Sequence, residues 1–452
     1  MTTETICALA TAAGGAIGVI RVSGTQALRI TDKIFHASNG RSLVDVAPNT
    51  VRHGEIVDGD GNLIDDVLVT VFRAPHSYTG EDSTEISCHA SSYIITQILH
   101  ALIDAGCRQA KPGEYTQRAY LNGKMDLSQA EAVADLIATT NRATHKMALS
   151  QLKGNFSNEL SALRNELLKI TSLIELELDF SDQDVNFADR NELQELARAM
   201  DRRITSLAHS FETGNALKKG VPVAIVGKTN VGKSTLLNRL LHEDRAIVSN
   251  IHGTTRDVIE DTVEIRGVTF RFIDTAGIRP TEDEIERLGI ERTYKKINEA
   301  SIILWLVDAQ PTSEQIAEIR ATVQGKRLIA VWNKIDVPTS QSISLPVSPL
   351  VRISAKHGAG LQLLEEELYR AADIPEIKEN DIIITSARHY EALTRAHESI
   401  SRVIEGLQQN RSGDLLSEDL RICIDQLAEI TGCAITTSEV LQSIFQNFCI
   451  GK

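Results

Sequence analysis

The sequence contains only six cysteines, and they are scattered along its 452 residues. No two of them form a C-x-x-C pair, which argues against a zinc ribbon and against a disulfide framework. A basic N-terminal segment followed by an apolar core is also missing, and no apolar run approaches the ~18 residues of a membrane span. We therefore expect reduced thiols in a soluble, cytoplasmic protein that does not bind a membrane.

An excess of positive charge is likewise missing. The chain has 47 Lys and Arg residues against 61 Asp and Glu residues, which gives a formal net charge of −14. A chain with this balance has no overall basic field that attracts nucleic acid. An RNA partner is therefore expected to meet a local basic patch or to be reached through another protein.

Proline is missing from two long tracts, between Pro112 and Pro222 and after Pro375. Glycine is sparse in the first tract as well. Because proline and glycine break helices, both tracts are predicted to be helical. They flank a central segment in which strands and helices alternate. This arrangement favours one helical domain made of two chain segments, with another domain inserted between them.

The sequence does contain a glycine-rich loop directly after the apolar run from Val221 to Val226. Residues 227–234 read Gly-Lys-Thr-Asn-Val-Gly-Lys-Ser, the pattern G-x-x-x-x-G-K-[ST] of a phosphate-binding loop. Backbone N–H groups and the N-terminus of the following helix are expected to face the phosphates, because both carry positive partial charge. Lys233 is predicted to reach the β- and γ-phosphates, and the Ser234 hydroxyl to bind Mg²⁺.

Two further motifs are predicted to lie beside the γ-phosphate. Residues 253–257 (G-T-T-R-D) form a polar segment in which Thr255 is positioned to complete the coordination of Mg²⁺. Residues 274–277 (D-T-A-G) end an apolar strand. This placement puts Asp274 near the metal ion and the Gly277 amide near the γ-phosphate.

Two more motifs are predicted to recognise the base. Residues 333–336 (N-K-I-D) follow an apolar strand. The Asp336 carboxylate can accept hydrogen bonds from both N1–H and the N2 amino group of guanine, and adenine offers no such pair of donors. Residues 354–356 (S-A-K) follow the last strand and close the base pocket. Five motifs in this order predict a site for GTP or GDP.

The predicted nucleotide contacts are the residues of these motifs and their neighbours. They are Asn230, Val231, Gly232, Lys233, Ser234, Thr235, Ser249, Asn250, Ile251, His252, Gly253, Thr254, Thr255, Asp274, Thr275, Ala276, Gly277, Asn333, Lys334, Asp336, Ser354, Ala355 and Lys356.

The five motifs together resemble the small-GTPase superfamily, with one departure. Ras-like proteins place a water-orienting Gln directly after D-x-x-G, whereas this sequence has Ile278 at that position. An aliphatic side chain cannot hold a water molecule by hydrogen bonding, so hydrolysis must recruit another group. The carboxylates of residues 283–286 are candidates for that group.

The periodicity of apolar residues predicts a multidomain fold. Strands such as 16–22 and 67–72, with an amphipathic helix at 92–105, indicate an α+β domain over residues 1–118. Strands at 221–226, 260–266, 268–273, 302–307, 327–332 and 350–353 predict an inserted α/β Ras-like P-loop GTPase domain over 218–375. Its sheet is expected to be mostly parallel, with one antiparallel edge. Residues 119–217 and 376–452 are predicted to form the discontinuous helical domain, with helices at 388–408 and 417–431.

The stretches outside the nucleotide motifs carry a more specific resemblance. They are GVIRVSG at 18–24, YTGED at 78–82, KPGEYT at 111–116, AYLNGKMDL at 119–127, ERLGIER at 286–292 and FCIGK at 448–452. With residues 253–257, they make the chain resemble, from end to end, the MnmE or TrmE family of bacterial and organellar tRNA-modification GTPases.

This resemblance implies an enzyme that hydrolyses GTP to GDP and phosphate and is coupled to tRNA modification. Members act as homodimers and form a heterotetramer with a flavoprotein, MnmG (GidA), which alone carries FAD. Together they place a 5-carboxymethylaminomethyl-type group on C5 of the wobble uridine of certain tRNAs. Which tRNAs, and whether glycine or ammonium supplies the nitrogen, stay open at this point.

The resemblance also implies that the N-terminal domain mediates dimerisation and binds a 5-formyltetrahydrofolate-type one-carbon donor. The family's folate positions correspond to Arg21, Glu85, Lys124 and Lys452. These residue types suit the ligand, because Arg and Lys pair with the glutamate carboxylates of folate, and Glu accepts from pterin N–H groups.

The family further resembles GTPases that are activated by K⁺ and by dimerisation of their nucleotide domains. The K⁺ ligands then correspond to Asn230, Ser249, Ile251 and Thr254, and the catalytic carboxylate corresponds to Glu286, which acts beside Lys233. A cation at this place offsets negative charge as an arginine finger does elsewhere. Glu286 is implied to orient the attacking water, which suits the missing Gln at Ile278.

Two alternatives stay open. Cys449 either takes part in the uridine chemistry or is a buried small apolar residue, since the sequence does not reveal its pKa. The chain as a whole can also be compared with Era- or Der-like ribosome-assembly GTPases, which share the phosphate loop and residues 253–255. A protein of that kind is expected to carry a basic RNA-binding appendage, and these flanks are acidic and helical.

Overall fold

The structure, a computed structural model, describes residues 4–12, 14–179, 190–228, 230–243, 261–273, 299–323, 325–337, 347–374, 381–433, 445, 448 and 451. The chain divides into two compact units. The first contains residues 1–138, 151–200 and 398–452, and the second contains residues 139–150 and 201–397. The predicted domain boundaries near 118, 217 and 375 stay a prediction. Within the described ranges, every helix is too short or too polar to cross a membrane.

A seven-stranded sheet lies in the N-terminal part of the first unit. Its strands are β1 (Ile6–Leu9), β2 (Ile17–Ser23), β3 (Phe35–Ala37), β4 (Thr50–Val57), β5 (Leu63–Phe72), β6 (Ser83–His89) and β7 (Arg108–Gln109). Their spatial order is β3-β4-β5-β6-β2-β1-β7. Neighbouring strands are antiparallel except for β1 and β7, which run parallel. The predicted strands at 16–22 and 67–72 are confirmed as β2 and the second half of β5.

Two helices cover one face of this sheet, namely α1 (Ala27–Ile34) and α2 (Ser92–Asp104). The alternation of side chains along a strand decides which residues face them. In β5, Val67, Val69 and Val71 are buried in the core under the helices, whereas Leu68 points to the other face and is 46% exposed. The helix predicted at 92–105 is confirmed.

Among the residues that the structure describes, five helices follow: α3 (Glu114–Leu121), α4 (Leu127–Ile137), α5 (Arg142–Leu152), α6 (Asn155–Asp179) and α7 (Arg190–Lys219). The helical prediction is confirmed for the described part of this tract, which leaves out residues 180–189. Asp126 caps α4 by accepting from the Gln129 backbone N–H, and the Gln129 side chain accepts from the Asp126 N–H in return. Leu163, Leu167, Ile170 and Ile174 of α6 follow one another at spacings of four and three residues and form a buried apolar stripe.

A six-stranded sheet forms the core of the second unit. Its elements are β8 (Val221–Val226), α8 (Lys233–Glu243), β9 (Asp261–Ile265), β10 (Val268–Phe272), β11 (Ile302–Val307), α9 (Ser313–Thr322), β12 (Arg327–Trp332), β13 (Leu350–Arg352) and α10 (Leu361–Ala371). The strand order is β13-β12-β11-β8-β10-β9. Only the β10–β9 pair is antiparallel among the described strands of this sheet, as predicted for one edge.

Helices cover both faces of this sheet, which explains the continuous apolar runs of its strands. Every residue of β11 is buried. Its residues Ile302, Leu304 and Leu306 pack in a core with α8 and α10. The alternate residues Ile303, Trp305 and Val307 pack in a second core with α9.

The last described helices are α11 (Ala387–Gln408) and α12 (Gly413–Thr431). Both were predicted, although α12 begins four residues before the predicted position 417. In the first unit, α12 packs along α6, and Glu175 of α6 accepts hydrogen bonds from Ser417 at 3.0 Å and from Arg421 at 2.6 Å. The predicted fold class is thus confirmed, with an α+β part, a helical part from two chain segments and an α/β part between them.

Candidate nucleotide-binding site

The described nucleotide motifs meet at one edge of the six-stranded sheet. The phosphate loop connects β8 to α8, which begins at Lys233. Residues 333–336 follow β12, and residues 354–356 lie just after β13. Because these three strands are parallel, their carboxyl ends lie at the same edge, where ligands bind in open α/β sheets.

Gly232 in the phosphate loop allows a close approach that no other residue permits. Its φ is +99°, and a Cβ atom added there would lie 2.3 Å from Nδ2 of Asn333. Any side chain at this position would therefore displace Asn333. The second glycine of the G-x-x-x-x-G-K-[ST] pattern is required by the contact between two motifs as well as by the turn itself.

Asn333 connects three of the predicted motifs. Its side chain is buried, with a residue exposure of 3%. Its Nδ2 donates to the Val231 carbonyl at 2.8 Å, and its Oδ1 accepts from the Ala355 N–H at 2.9 Å. Both ends of the amide are thus satisfied, as burial requires. This side chain holds the phosphate loop and the base-recognition loops in a common arrangement.

Two lysines bind carbonyl oxygens of the phosphate loop. Lys233 Nζ donates to the carbonyls of Gly227 at 2.7 Å and Lys228 at 2.8 Å. Lys334 Nζ donates to the Asn230 carbonyl at 2.8 Å and pairs with Asp308 Oδ2 at 2.7 Å. Asp308 lies outside the five nucleotide motifs of the sequence. Its position directly after β11, at the same edge of the sheet, is the signal that identifies it.

Asn230 and Lys334 share an uncommon backbone conformation. Their φ angles are +62° and +63°, in the left-handed region that non-glycine residues rarely adopt. Asn tolerates this region better than most residues. The hydrogen bond from Lys334 Nζ to the Asn230 carbonyl connects the two residues directly. The two left-handed residues are therefore in contact with each other within the site.

Asp336 is held ready to accept hydrogen bonds. A hydrogen bond from the Ser354 hydroxyl is the main cause that lowers the pKa of its carboxyl group, and the electrostatic influence of the neighbouring His357 and Lys356 acts in the same direction. Ser354 is itself buried and fixed by a backbone hydrogen bond to Ala359 at 2.9 Å. The Asp336 carboxylate is therefore ionised at neutral pH and can only accept hydrogen bonds.

The structure also brings together two of the predicted folate residues. Arg21 of β2 lies opposite Glu85 of β6 in the sheet register. Arg21 Nε donates to Glu85 Oε1 at 2.9 Å. The guanidinium lies 5.1 Å from the centroid of the Tyr78 ring and 5.6 Å from that of Tyr115. This contact with aromatic faces fixes where the positive charge of Arg21 lies.

Lys124, the third predicted folate residue, contacts the same loop that carries Tyr78. Its Nζ donates to the Pro75 carbonyl at 2.9 Å. Gly80, with φ at +78°, lies against the aliphatic part of Lys124, since an added Cβ would come within 3.3 Å of it. Arg21 and Lys124 thus both contact the segment 75–80, from different elements.

A buried ionic cluster supports this loop, and it was not predicted from the sequence. Arg118, which is 6% exposed, donates to Glu81 at 3.1 Å and to Glu114 at 2.9 Å. Glu114 also accepts from Arg108 at 2.7 Å, and Ser23 donates to Glu81 at 2.8 Å. The spacing of Glu114 and Arg118, four residues apart on a helix, is the sequence signal that was available.

The remaining predicted site residues lie outside the described ranges. They are Ser249, Asn250, Ile251, His252, Gly253, Thr254, Thr255, Asp274, Thr275, Ala276, Gly277, Glu286, Cys449 and Lys452. The roles predicted for them stay predictions.

Comparison with known proteins adds what the geometry alone leaves open. A family model described as GTP-binding protein TrmE N-terminus matches residues 5–124, and one described as MnmE helical domain matches residues 127–449. The chain belongs to the MnmE family. The resemblance found in the sequence is thereby confirmed. The match of both flanks favours this family over the ribosome-assembly alternative.

Full-length relatives support this membership. A protein of Bacteroides thetaiotaomicron named tRNA modification GTPase MnmE is 56% identical over 468 residues, which cover 100% of both chains. The protein of that name from Phocaeicola vulgatus is 54% identical and covers 99% of each chain. Among solved structures, the G domain of the T. maritima FeoB iron transporter covers 34% of this chain and 98% of its own at 24% identity. Its TM-score of 0.25 gives that likeness no weight.

Proposed function

We propose that this chain hydrolyses GTP and acts in the modification of tRNA. The observation that carries the proposal is the position of Asn333, which joins the phosphate loop to both base-recognition motifs in a single site. The relatives named tRNA modification GTPase MnmE match this chain over its whole length. This full-length match supports the same activity for this chain. The finer proposal is that the product is a 5-carboxymethylaminomethyl-type group on the wobble uridine.

Mg²⁺ is proposed to lie beside the phosphate loop, with Ser234 and Thr255 as ligands. The Ser234 hydroxyl fits this ion, because Mg²⁺ prefers hard oxygen ligands and Ser234 is the second residue of α8, next to the loop. The ion supplies charge neutralisation on the phosphate oxygens. Lys233 contributes a second positive charge, and a phosphate is expected to replace the loop carbonyls that it binds in the present structure.

K⁺ is proposed as the activating cation, held by Asn230, Ser249, Ile251 and Thr254. Asn230 suits this role because its side chain is exposed and its left-handed backbone turns the loop at that point. A cation there would supply positive charge near the leaving phosphate. Glu286 is proposed to orient the attacking water, since Ile278 cannot do so.

The N-terminal domain is proposed to bind a 5-formyltetrahydrofolate-type donor through Arg21, Glu85, Lys124 and Lys452. Arg21 and Glu85 form an ion pair of 2.8 Å whose side chains are 17% and 28% exposed, so they lie at a surface that a ligand can reach. The glutamate carboxylates of folate suit Arg21 and Lys124, and the pterin ring suits the Tyr78 face. Burial raises the pKa of Tyr78, so its hydroxyl stays neutral at physiological pH.

The chain is proposed to be a cytoplasmic homodimer that joins the FAD-containing MnmG protein in a heterotetramer. The face of the seven-stranded sheet opposite α1 and α2 supports self-association. Ile17, Val51 and Leu68 lie on this face and are 66%, 54% and 46% exposed. Apolar side chains grouped in this way mark an interaction surface. Arg21 and Glu85 share the same face in the strand register.

Nucleoside analysis tests the proposed function most directly. Bulk tRNA from cells that lack this chain is digested and separated, and the wobble uridines are expected to lose the C5 substituent. Restoring the chain should restore the modified nucleoside, whereas an Asp336→Asn variant should not. Unchanged wobble uridines in the deletion strain would refute the role in tRNA modification.

Hydrolysis rates test the cation and the carboxylate separately. The purified chain is expected to turn over GTP faster in KCl than in NaCl at equal ionic strength. Glu286→Ala should lower kcat by on the order of 10²–10⁴-fold while nucleotide affinity is retained, because the residue is proposed to act on the attacking water. Equal rates in both salts would exclude K⁺ activation, and normal turnover by Glu286→Ala would exclude that carboxylate.

A further inference from the structure

A basic cleft lies at the end of the six-stranded sheet opposite to the phosphate loop. It consists of two adjoining cavities of about 650 Å³ and about 430 Å³, which share Arg370 and Asp373. The parallel strand β12 begins here, whereas the nucleotide motifs lie at the carboxyl ends of the strands. The nucleotide site therefore leaves this cleft unused.

Positive side chains from several elements line the cleft. Lys326 and Arg327 precede and begin β12, and Arg320 comes from the last turn of α9. Arg370 lies in the last turn of α10, and Arg266 lies in the turn between β9 and β10. Elements far apart in the sequence thus bring five cations to one concave surface.

Three carboxylates also line the cleft, which leaves positive charge in excess. Glu366 pairs with Arg266 at 3.1 Å, Asp373 pairs with Arg327 at 3.0 Å, and Glu367 pairs with Arg370. A net positive site is notable on a chain whose formal charge is −14. Because the chain is acidic overall, an RNA partner was expected to need a local basic patch, and this cleft is such a patch.

The arginine side chains of these three ion pairs are exposed, and that of Arg370 is 73% exposed. The side chains of Arg327 and Asp373 are 64% and 78% exposed, and that of Arg266 is 55% exposed. Pairs of this kind contribute little stability, because water screens both charges. A guanidinium can leave a carboxylate for a phosphate, which it binds with the same two-pronged geometry.

An aromatic ring adds to the cleft. Tyr369 lines the smaller cavity, and the Arg266 guanidinium lies 5.6 Å from the centroid of its ring. Arginine planes and aromatic faces are the surfaces on which proteins stack unpaired RNA bases. The cations alone would suit any polyanion. The ring favours a nucleic acid, because its bases can stack on an aromatic face.

We infer that this cleft binds the phosphate backbone of an RNA, with Arg327 and Arg370 contacting phosphates. This inference rests on the proposed function, because the RNA is taken to be the tRNA that is modified. Its concave shape and its width across several elements suit a folded RNA strand better than a flat membrane surface. The position away from the phosphate loop lets GTP and RNA bind at the same time.

A charge-reversal pair in the full-length chain tests this inference. Arg327→Glu with Arg370→Glu is compared with wild type for binding of labelled tRNA by fluorescence anisotropy, over a range of KCl concentrations. The cleft variant is expected to bind roughly tenfold more weakly at low salt, with a salt-dependence slope smaller by about 1.5. GTP affinity should stay unchanged, because the nucleotide site lies at the other end of the sheet.

A matched control separates a local effect from a change in total charge. Arg41→Glu with Arg411→Glu makes the same charge change at two exposed positions elsewhere, and it should leave tRNA binding near the wild-type level. Arg327→Gln with Arg370→Gln removes the two charges without adding repulsion, and should weaken binding in the same direction. Thermal unfolding of each variant shows that it is folded.

The outcomes distinguish this inference from the function on which it rests. If wild type binds tRNA and the cleft variants bind equally well, or if the control weakens binding as much, the cleft is not the RNA site. If the cleft variant loses only its binding to the flavoprotein partner, the cleft is a protein interface and the RNA assignment is wrong. If wild type binds no tRNA at all, both the inference and the tRNA part of the proposed function are refuted.

Discussion

Asn333 shows how much of the candidate site depends on one buried side chain. Its amide joins residues that are 102 and 22 positions away in the sequence. Loss of this side chain would leave the Val231 carbonyl and the Ala355 N–H without these partners, at a cost of about 1–3 kcal/mol for each buried group. The contribution of Asn333 is therefore to the shape of the whole nucleotide site, beyond any contact with a ligand.

Asp336 is the residue that we propose to recognise the guanine base. Asp336→Asn replaces a carboxylate that accepts twice by an amide with one acceptor and one donor group. Affinity for GTP is expected to fall roughly 10²-fold or more, since hydrogen bonds to a charged group are worth about 1.5–3 kcal/mol each. Affinity for xanthosine triphosphate should rise, because xanthine has a carbonyl where guanine has its amino group. Isothermal titration calorimetry with both nucleotides measures the change.

The control for this exchange is Ser354→Ala, which removes the hydroxyl that lowers the pKa of Asp336. It should weaken GTP binding modestly without creating affinity for xanthosine triphosphate. If Asp336→Asn binds GTP as wild type does, the proposed base recognition is wrong.

Glu114 makes the stability of the N-terminal domain depend on pH. Burial alone would raise its pKa, but hydrogen bonds from Arg108, the Lys111 backbone N–H and Arg118 outweigh burial and lower the pKa from 4.5 to about 2. A carboxyl whose pKa is lowered by folding stabilises the fold above its unfolded pKa, and this contribution is lost as pH falls from about 4.5 to about 2. Its full size is on the order of 3 kcal/mol.

Glu114→Gln should therefore lower the free energy of unfolding at pH 7 and have a much smaller effect near pH 2.5. Urea denaturation followed by circular dichroism at several pH values gives the two curves. Glu4→Gln is a matched control, because Glu4 also pairs with Arg108 but its side chain is 71% exposed. A destabilisation by Glu114→Gln that is independent of pH would contradict the ionic role.

Among the elements, the long helix α6 depends on its buried stripe. Leu167 is fully buried within this stripe, and the neighbouring Leu168 is 37% exposed. Leu167→Ala should lower the free energy of unfolding by about 2–5 kcal/mol, because it leaves a cavity that the surrounding side chains fill only in part. Leu168→Ala should cost below about 1 kcal/mol. Chemical denaturation of the two variants compares them directly, and equal losses would show that α6 is not packed as described.

At the scale of the whole molecule, the face of the seven-stranded sheet that carries Ile17, Val51 and Leu68 is the proposed dimer surface. If this face joins two copies of the chain, a charge at its centre should separate them. Leu68→Glu is expected to shift the protein from dimer to monomer in analytical ultracentrifugation, since a buried carboxylate without a partner is strongly unfavourable. Leu363→Glu, at a position on α10 that is 59% exposed, is the control. A dimer that tolerates Leu68→Glu would place the interface elsewhere.

The two ends of the six-stranded sheet have different properties at this scale. The carboxyl ends of its strands hold the nucleotide motifs, and the opposite end holds the basic cleft. The rule that ligands bind at the carboxyl ends of parallel strands predicts the first arrangement. The second follows from side chains whose proximity depends on how α9, β12 and α10 pack. Charge separation of this kind allows a chain with an acidic average to present one basic surface.

The sequence by itself determined the motifs and the fold class, because both depend on neighbours along the chain. The apolar run before residues 227–234 predicts a strand and a phosphate loop, and the apolar run at 67–72 predicts a strand that the structure shows as part of β5. Family membership rests on stretches of the same local kind. Local patterns were sufficient here because hydrogen bonding in helices and side-chain alternation in strands have short, fixed periods.

Only the tertiary structure decided which distant residues meet. The contacts of Asn333 with the phosphate loop, of Arg118 with Glu81 and of Arg21 with Tyr78 each join separate stretches of chain. No period in the sequence encodes them, since they arise from strand order and from the packing of helices on sheets. For the same reason, the cations of the basic cleft gave no signal in the sequence. These side chains lie close to one another only after the sheet and its helices have packed together.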